Sequence, residues 1–443
     1  MNATQRYLTF ELGKNNIEKL NKIFCVSINI HILIAFVVFL LTETVGLWFL
    51  YNKLVIPEGR LEASFWTLQF SAVATIFSIV SVPYNALIIA HEKMSAFAYI
   101  SIFDAAIKLL VAFLISITSF DRLILYSFLL FVISVIDRII YNVYCTKHFP
   151  ESKYKYIKDN ALFKEMLGFA GWSLIGNLAY VGATEGLNIM LNMFFNPVVN
   201  AARAIAVQIQ GVMINFSSNV ENAIKPQITK SYALENKERL FSLAYASGRF
   251  TFFALLLVSF PILFEADTIL KIWLHDVPEH TANFVRLILV CTLVDVLSNP
   301  MLTLAQASLK IRRYQMIVGF VYLLVVPFAY IALTYWKVPE IVFWVNLLIF
   351  VVLQVIKIIL VCPMVNMPKL VYVKKVYLKA LWVVLFSSLI TSIPFLYIES
   401  SILKLILVVA TTTVSILFGI YAFGVDAKER QLISQKVLSL IKR

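Results

Sequence analysis

Apolar runs of about twenty residues recur along the whole chain, and no other feature constrains the fold as strongly. A run of this length can cross the hydrocarbon core of a bilayer as an α-helix. The runs are continuous rather than alternating, which excludes a membrane β-barrel. Charged residues make up 14% of the sequence, against roughly 25% in a soluble globular protein. The sequence therefore predicts an all-α polytopic membrane protein.

About twelve complete transmembrane helices are predicted, joined by short connections. No connection is long enough to hold a soluble catalytic domain. The predicted spans cover residues 23–50, 63–90, 97–118, 123–145, 165–194, 199–222, 245–264, 283–306, 316–336, 341–361, 377–397 and 402–423.

The positions of lysine and arginine predict the orientation of these helices. The chain carries 38 basic and 25 acidic residues, which gives a net charge of +13. If the N-terminus is cytoplasmic, most of the basic residues fall in cytoplasmic segments, as the positive-inside rule requires. We therefore expect both termini in the cytoplasm. The excess of positive charge is therefore interpreted as a signal of membrane topology, and no nucleic acid is expected as a partner.

An internal repeat relates the two halves of the chain. Asn2 aligns with Asn222, and further on Pro83 aligns with Pro300 at a slightly shorter offset. The offset contains six spans, an even number, so the two copies run in the same direction across the membrane as a parallel repeat. The second copy has two helices before its matching segment and the first copy has none. We therefore expect the first lobe to lack its initial helix pair.

Three regions follow from the spans and the repeat. Residues 1–160 form an N-terminal lobe with four full spans and a basic cytoplasmic linker, and residues 161–362 form a C-terminal lobe of six helices. Residues 363–443 add two spans and a cytoplasmic amphipathic tail, in which Asp426 and Glu429 have the spacing of a capping box. The predicted apolar face of the tail consists of Ile433, Val437, Leu440 and Ile441.

Two segments are similar to a known family of transporters. Residues 83–100 read PYNALIIAHEKMSAFAYI, and residues 196–233 read NPVVNAARAIAVQIQGVMINFSSNVENAIKPQITKSYA. Both resemble the polysaccharide flippases, or Wzx-like O-antigen transporters, of the MOP superfamily, which also contains the MATE drug exporters. The resemblance implies a MATE-like fold, with two six-helix lobes that face each other in a V around a central cavity and two extra C-terminal helices. The missing first helix pair departs from this pattern, and the chain is expected to be N-terminally truncated.

The resemblance also implies a function. A flippase of this family is a multi-pass protein of the bacterial inner membrane, and it moves a polyprenyl-pyrophosphate glycan to the outer leaflet by alternating access. Such glycans supply O-antigen, capsule or exopolysaccharide biosynthesis. The expected partners are the lipid-linked oligosaccharide, membrane lipids, H⁺ or Na⁺ as a coupling ion, and polysaccharide assembly proteins. A cation-coupled multidrug exporter of the MATE type and an inactive fragment are the alternatives.

Motifs for enzymatic chemistry are absent from the sequence. It contains no phosphate-binding glycine loop, no HExxH, no CxxC and no GxSxG. The protein is therefore not expected to be an enzyme, and neither a cofactor nor a metal is expected.

Polar and ionisable residues inside predicted spans are the candidates for function, because they are costly in hydrocarbon. Arg203 stands among small residues in NAARAIAVQIQ, and a guanidinium group matches the geometry of phosphate oxygens. It is the predicted anion receptor, and an ion pair with Glu185 is the structural alternative. The substrate-binding candidates are Arg203, Lys108, Lys357, Gln208 and Asn188, and the ion-coupling candidates are Glu185, Asp104 and Asp295.

Two further observations concern an acid–base pair on one helix and a pair of matched prolines. Asp104 and Lys108 are four residues apart, so they can pair with each other on one helix face. Pro83 and Pro300 occupy matching places in the two copies, and paired helix breaks mark hinges or sites in transporters. They are the hinge candidates, and a kink with packing value alone is the alternative.

Overall fold

All regular secondary structure in the part of the chain that the structure describes is helical. The computed structural model describes residues 2–14, 16–52, 59–117, 120–195, 197–274, 276–397, 402–427 and 429–431. No β-strand occurs within these ranges. A chain that crosses a bilayer must pair its own backbone N–H and C=O groups, and a helix does so within one segment.

Thirteen helices follow one another along the described residues. They are α1 (Asn2–Gly13), α2 (Ile17–Asn52), α3 (Leu61–Ala90), α4 (Met94–Ile117), α5 (Arg122–His148), α6 (Asn160–Phe194), α7 (Pro197–Ala233), α8 (Lys237–Leu274), α9 (Thr281–Ala307), α10 (Ile311–Trp336), α11 (Ile341–Met364), α12 (Lys369–Phe395) and α13 (Ile402–Gly424).

Eleven of the helices in these ranges are long and apolar enough to cross a membrane, namely all except α1 and α7. Helix α7 has 37 residues and covers the predicted span 199–222. It is less apolar than the others because glutamine, asparagine and serine side chains recur along its length. The prediction of an all-α polytopic membrane protein is confirmed.

The chain forms two compact units. Unit 1 comprises Met1–Gly171 and Thr229–Glu235, and unit 2 comprises Trp172–Ile228 and Asn236–Arg443. The division between the units therefore falls within α6 and again near the end of α7, and the last two helices belong to unit 2. The finer division of the sequence at residues 160 and 362 stays a prediction.

The linker after α5 is fixed against the start of α2 in unit 1. The side-chain amide of Asn21 donates hydrogen bonds to the carbonyl oxygens of Glu151 at 2.6 Å and of Lys153 at 2.9 Å. The Glu151 carboxylate is buried and lies 2.5 Å from the His91 ring at the end of α3. Burial is the largest single effect and raises the pKa of Glu151, but the hydrogen bond and charge of His91 and a backbone hydrogen bond together outweigh it, so that this pKa lies below its usual range.

A buried arginine of α8 holds the segment that follows α13 in unit 2. The Arg249 side chain is 1% exposed and donates to the Gly424 carbonyl at 2.9 Å and to the Glu429 carboxylate at 2.6 Å. The same carboxylate accepts a bond from the Asp426 backbone N–H at 2.7 Å, which is one half of the expected capping box. The predicted apolar face at Ile433, Val437, Leu440 and Ile441 lies outside the described residues.

Replacing Arg249 with methionine should lower the free energy of unfolding by about 2–3 kcal/mol, because the partly buried Glu429 and the Gly424 carbonyl lose their donor. The matched control is Arg286→Met, whose pair with Asp267 is more exposed and should contribute about 0–1 kcal/mol. Denaturant titration of the purified protein measures both changes. Equal stability of the two variants would show that Arg249 does not hold the C-terminal segment.

The predicted orientation is tested with an impermeant thiol reagent on intact cells. We expect Lys153→Cys to be labelled only after the cells are opened, and Glu279→Cys to be labelled from outside. The four native cysteines are all buried, so their background labelling should be low. Labelling with the opposite pattern would reverse the topology that the positive charges predict.

Candidate functional site in unit 2

Helix α9 is interrupted at Leu297 and Ser298, between the segments Thr281–Val296 and Asn299–Ala307. The Leu297 carbonyl accepts a hydrogen bond from the Tyr372 hydroxyl of α12 at 2.8 Å. The Ser298 hydroxyl accepts one from the Lys357 ammonium group of α11 at 3.0 Å. Polar groups that a helix break frees inside a membrane need partners within the protein. Side chains of two neighbouring helices therefore stabilise this break.

Lys357 also forms an ion pair with Asp295 on the last turn before the break. The ammonium nitrogen lies 2.7 Å from the carboxylate, and the exposed side-chain fractions are 8% for Lys357 and 34% for Asp295. A lysine buried to this degree needs such a counter-charge. The structure thus joins a predicted substrate-binding residue to a predicted ion-coupling residue.

A polar pocket of about 240 Å³ lies beside the break. Helices α6, α7, α9 and α11 contribute to its wall. Since a water molecule takes up about 30 Å³ in the liquid, the pocket has room for several waters, a hydrated ion or a small polar group. Its polar lining residues are Tyr180, Gln210, Ser217, Ser218, Glu221, Thr292, Asp295 and Asn299.

The second carboxylate of this pocket is Glu221 on α7. It accepts hydrogen bonds from the Asn299 amide and from the Ser217 hydroxyl, the latter at 3.2 Å. Lys225, one turn further along α7, lies 3.2 Å from the same carboxylate. Each acidic residue of the pocket therefore has a lysine partner, and the charges are balanced. Glu221 was not among the selected site residues, although its place inside a predicted span was a signal for it.

Arg203 lies in unit 2 with 7% of its surface exposed. Its guanidinium group donates a hydrogen bond to the Thr184 carbonyl of α6 at 2.8 Å. Among the described residues, no carboxylate lies within 4 Å of it. Glu185 instead accepts a bond from Asn188 at 3.4 Å, and the ion pair with Arg203 that was the structural alternative is not formed within 4 Å.

An aromatic pair connects the surroundings of Arg203 with the pocket. The Thr184 hydroxyl donates a hydrogen bond to the Tyr180 carbonyl of the preceding turn at 2.9 Å. The Tyr322 ring stacks on Tyr180, with the ring centres 5.2 Å apart and the planes 8° from parallel. Tyr180 is 40% exposed and lines the pocket. The buried cation and the polar pocket therefore belong to one region of unit 2.

The remaining candidates of unit 2 lie elsewhere on α6 and α7. Gln208 and Glu185 are exposed and Asn188 is half-buried, and none of the three lines the pocket. Gln210, two residues after Gln208, does line it and donates to the Thr292 hydroxyl at 3.2 Å. In the segment NAARAIAVQIQ the residue that faces the pocket is therefore Gln210, whereas the sequence candidate was Gln208.

Unit 1 contains a separate charged cluster on α4 and α5. Lys108 pairs with Asp104 at 2.7 Å along α4, as their spacing predicts. Asp137 of α5 lies close enough to Asp104 for the two carboxyl groups to influence each other electrostatically. One oxygen of each carboxyl group is buried and has no hydrogen-bond donor among the described residues. Two carboxyl groups in contact repel each other unless they share a proton.

The two matched prolines differ in their local geometry. Pro83 is buried inside the uninterrupted helix α3. Pro300 stands in the first turn of the second segment of α9, where its missing N–H removes no helical hydrogen bond. The α9 break precedes Pro300, and the hinge role of both residues stays a prediction.

Several solved structures are similar to this chain over most of its length. A MATE transporter in the straight conformation has a TM-score of 0.73 at 12% identity, and the match covers 82% of this chain and 83% of that one. The chain has a MATE-like fold. An outward-facing multidrug resistance MATE transporter of the MOP superfamily gives 0.70 at 12% identity, with 82% and 83% covered. The eukaryotic MATE transporter AtDTX14 gives 0.65 at 14% identity, with 86% and 85% covered.

No protein-family model matches the sequence, and no curated protein does. The predicted MATE-like architecture is thus confirmed by the fold, and the expected relation to polysaccharide flippases stays a proposal.

Replacing Asp295 with asparagine should lower the free energy of unfolding by about 3 kcal/mol, because it leaves Lys357 buried without a counter-charge. The double variant Asp295→Asn/Lys357→Met should recover most of this loss, since it removes both charges. Denaturant titrations of the single and double variants give the coupling energy, expected at about 1–3 kcal/mol.

The matched control for this cycle is the more exposed pair of Asp104 and Lys108. Its coupling energy is expected to be about 0.3–0.5 kcal/mol. If the two cycles gave equal coupling energies, the Asp295–Lys357 pair would have no special part in stabilising unit 2.

Proposed function

We propose that this chain is a flippase of the bacterial inner membrane that moves a polyprenyl-pyrophosphate glycan to the outer leaflet by alternating access. The observation that carries the proposal is Arg203. Its guanidinium group is buried, is held by a backbone carbonyl and has no carboxylate within ion-pair distance among the described residues. A buried cation without a counter-charge is costly. A pyrophosphate supplies that charge and fits the planar donor geometry of arginine.

The surroundings of Arg203 suit the glycan part of such a substrate. Tyr180 offers a partly exposed ring, on which the apolar face of a sugar can stack. Gln210 and Asn299 offer amide groups for sugar hydroxyls in the adjoining pocket. At about 240 Å³ this pocket is too small for an oligosaccharide, so in this proposal it takes one sugar residue or the hydrated coupling ion.

The coupling ion of the proposed mechanism is a proton at Asp104 and Asp137. Their carboxyl groups lie close enough to repel each other, and a shared proton would remove this repulsion. Asp295 is the alternative ion-coupling candidate, and it and Asp104 each have a lysine partner at 2.7 Å. Proton binding and release at this cluster of unit 1 would then drive the change between inward-facing and outward-facing states.

A cation-coupled drug exporter is the second candidate function. The carboxylates of Glu221 and Asp295 line one pocket, and acidic groups are what a cationic drug or a sodium ion binds. One of the similar structures is a multidrug resistance transporter. The lysine partners of both carboxylates count against this function, since a bound cation must compete with Lys225 and Lys357.

The experiment uses a bacterial host in which this gene is deleted. Polyprenyl-linked glycans are extracted, and an impermeant glycan-modifying reagent reports which membrane face they occupy. We expect them to accumulate on the cytoplasmic face and to be exported again when the wild-type gene is restored.

Arg203→Gln should reduce this export at least about tenfold, because a charge-assisted hydrogen bond contributes about 1.5–3 kcal/mol. Arg203→Lys should retain part of it, since lysine keeps the charge and loses the planar fork. The matched control is the exposed Arg239→Gln, which should export normally. Normal export by Arg203→Gln would remove Arg203 as the anion receptor. Unchanged glycan orientation with altered drug sensitivity would favour the exporter.

A further inference from the structure

Three basic residues at the start of α10 share one pocket. Lys310, Arg312 and Arg313 line a cavity of about 490 Å³, which Met316 and the end of α11 at Pro363 complete. All three basic side chains are exposed. Among the described residues no carboxylate lies within ion-pair distance of any of them. The pocket therefore carries three positive charges without a negative one.

The arginine in the middle of this cluster is held in place by an aromatic ring. The Arg312 guanidinium carbon lies 4.6 Å from the centre of the Trp172 ring of α6. A cation positioned over a tryptophan face is stabilised by the ring. Its donors are thereby kept at the pocket, and both α6 and α10 contribute to the site.

An apolar groove adjoins the basic pocket. It has a volume of about 780 Å³ between α6 and α10, and Ile175, Leu178 and Phe320 are among its lining residues. Met316 lines both the groove and the basic pocket, so the two cavities adjoin each other. Ala179 of α6 and Gly319 of α10 also line the groove. The two helices approach closely there, since a Cβ atom added at Gly319 would lie 3.2 Å from the Ala179 Cβ.

We propose that this double cavity binds an anionic phospholipid, with its phosphate at Lys310, Arg312 and Arg313 and an acyl chain in the groove. Charge complementarity selects the headgroup, and the apolar groove selects the chain. The positive-inside pattern predicts that the start of α10 faces the cytoplasm, where anionic lipids are concentrated. Basic pockets between transmembrane helices on that side bind phosphate-containing headgroups. This inference does not depend on the proposed function or on Arg203.

The headgroup contact is tested with Lys310→Gln/Arg313→Gln, which leaves the Arg312 contact with Trp172 intact. Native mass spectrometry of the purified protein counts bound phosphatidylglycerol and phosphatidylcholine with identical acyl chains. The double variant should bind phosphatidylglycerol at least about tenfold more weakly, since each basic residue near the surface contributes roughly 1 kcal/mol. Its binding of phosphatidylcholine should not change. The charge-matched control is Lys237→Gln/Arg239→Gln, two exposed residues away from the pocket, which should behave as wild type.

The chain contact is tested with Ile175→Trp, which puts a larger side chain into the groove. It should weaken the binding of phosphatidylglycerol several-fold, whereas Leu174→Trp should not. Leu174 is exposed to a similar extent, at 58% against 49% for Ile175, and does not line the groove. Equal effects of the two tryptophan substitutions would overturn the assignment of the groove to an acyl chain.

Two competitors distinguish the source of the phosphate. Inorganic pyrophosphate should not displace phosphatidylglycerol, because it gains nothing from the groove. Displacement by millimolar pyrophosphate would make the site a free-phosphate site and overturn the proposal. Preferential displacement by polyprenyl phosphate would also overturn it and would reassign the groove to a prenyl chain. Equal binding of phosphatidylglycerol to the headgroup double variant and its control would rule out the basic pocket.

Discussion

A polar group inside a bilayer must find its partner within the protein, and this constraint governs the structure from the backbone to the candidate site. Most of the chain meets it with continuous helices. Helix α9 does not, because it is interrupted at Leu297 and Ser298. Tyr372 of α12 supplies a partner for the Leu297 carbonyl, and Lys357 of α11 bonds the Ser298 side chain beside it. The break is thus tied to the packing of α9, α11 and α12, and Asp295 and Asn299 on either side of it line the polar pocket.

The buried basic residues of unit 2 differ in how their charge is matched. Lys357 is paired with Asp295, and Arg249 is paired with Glu429. Both therefore have a clear part in stabilising the structure. Arg203 donates to a carbonyl oxygen, and no carboxylate lies within ion-pair distance of it among the described residues; a carbonyl dipole balances a full charge only in part. This difference is the physical ground for proposing Arg203, rather than the other two, as the receptor of an anion.

The candidate site was only partly predictable from the sequence. Asp295, Lys357 and Arg203 stood out because ionisable residues are rare inside apolar spans. The choice between Gln208 and Gln210 could not be made in the same way. Successive helical residues are about 100° apart, so these two side chains point to opposite sides of α7. Only the packing of α7 against α9 shows that Gln210 faces Thr292.

The sequence by itself determined that the chain is a bundle of membrane helices, and it placed their spans closely. It could do so because length and apolarity are local properties, and each helix pairs its own backbone. Only the tertiary structure decided which polar residues meet. Lys357 and Asp295 are 62 residues apart, and Tyr372 and Leu297 are 75 apart. Such contacts depend on the rotation of each helix about its axis and on its neighbours, and a hydropathy pattern determines neither of them for a helix that is apolar on every side.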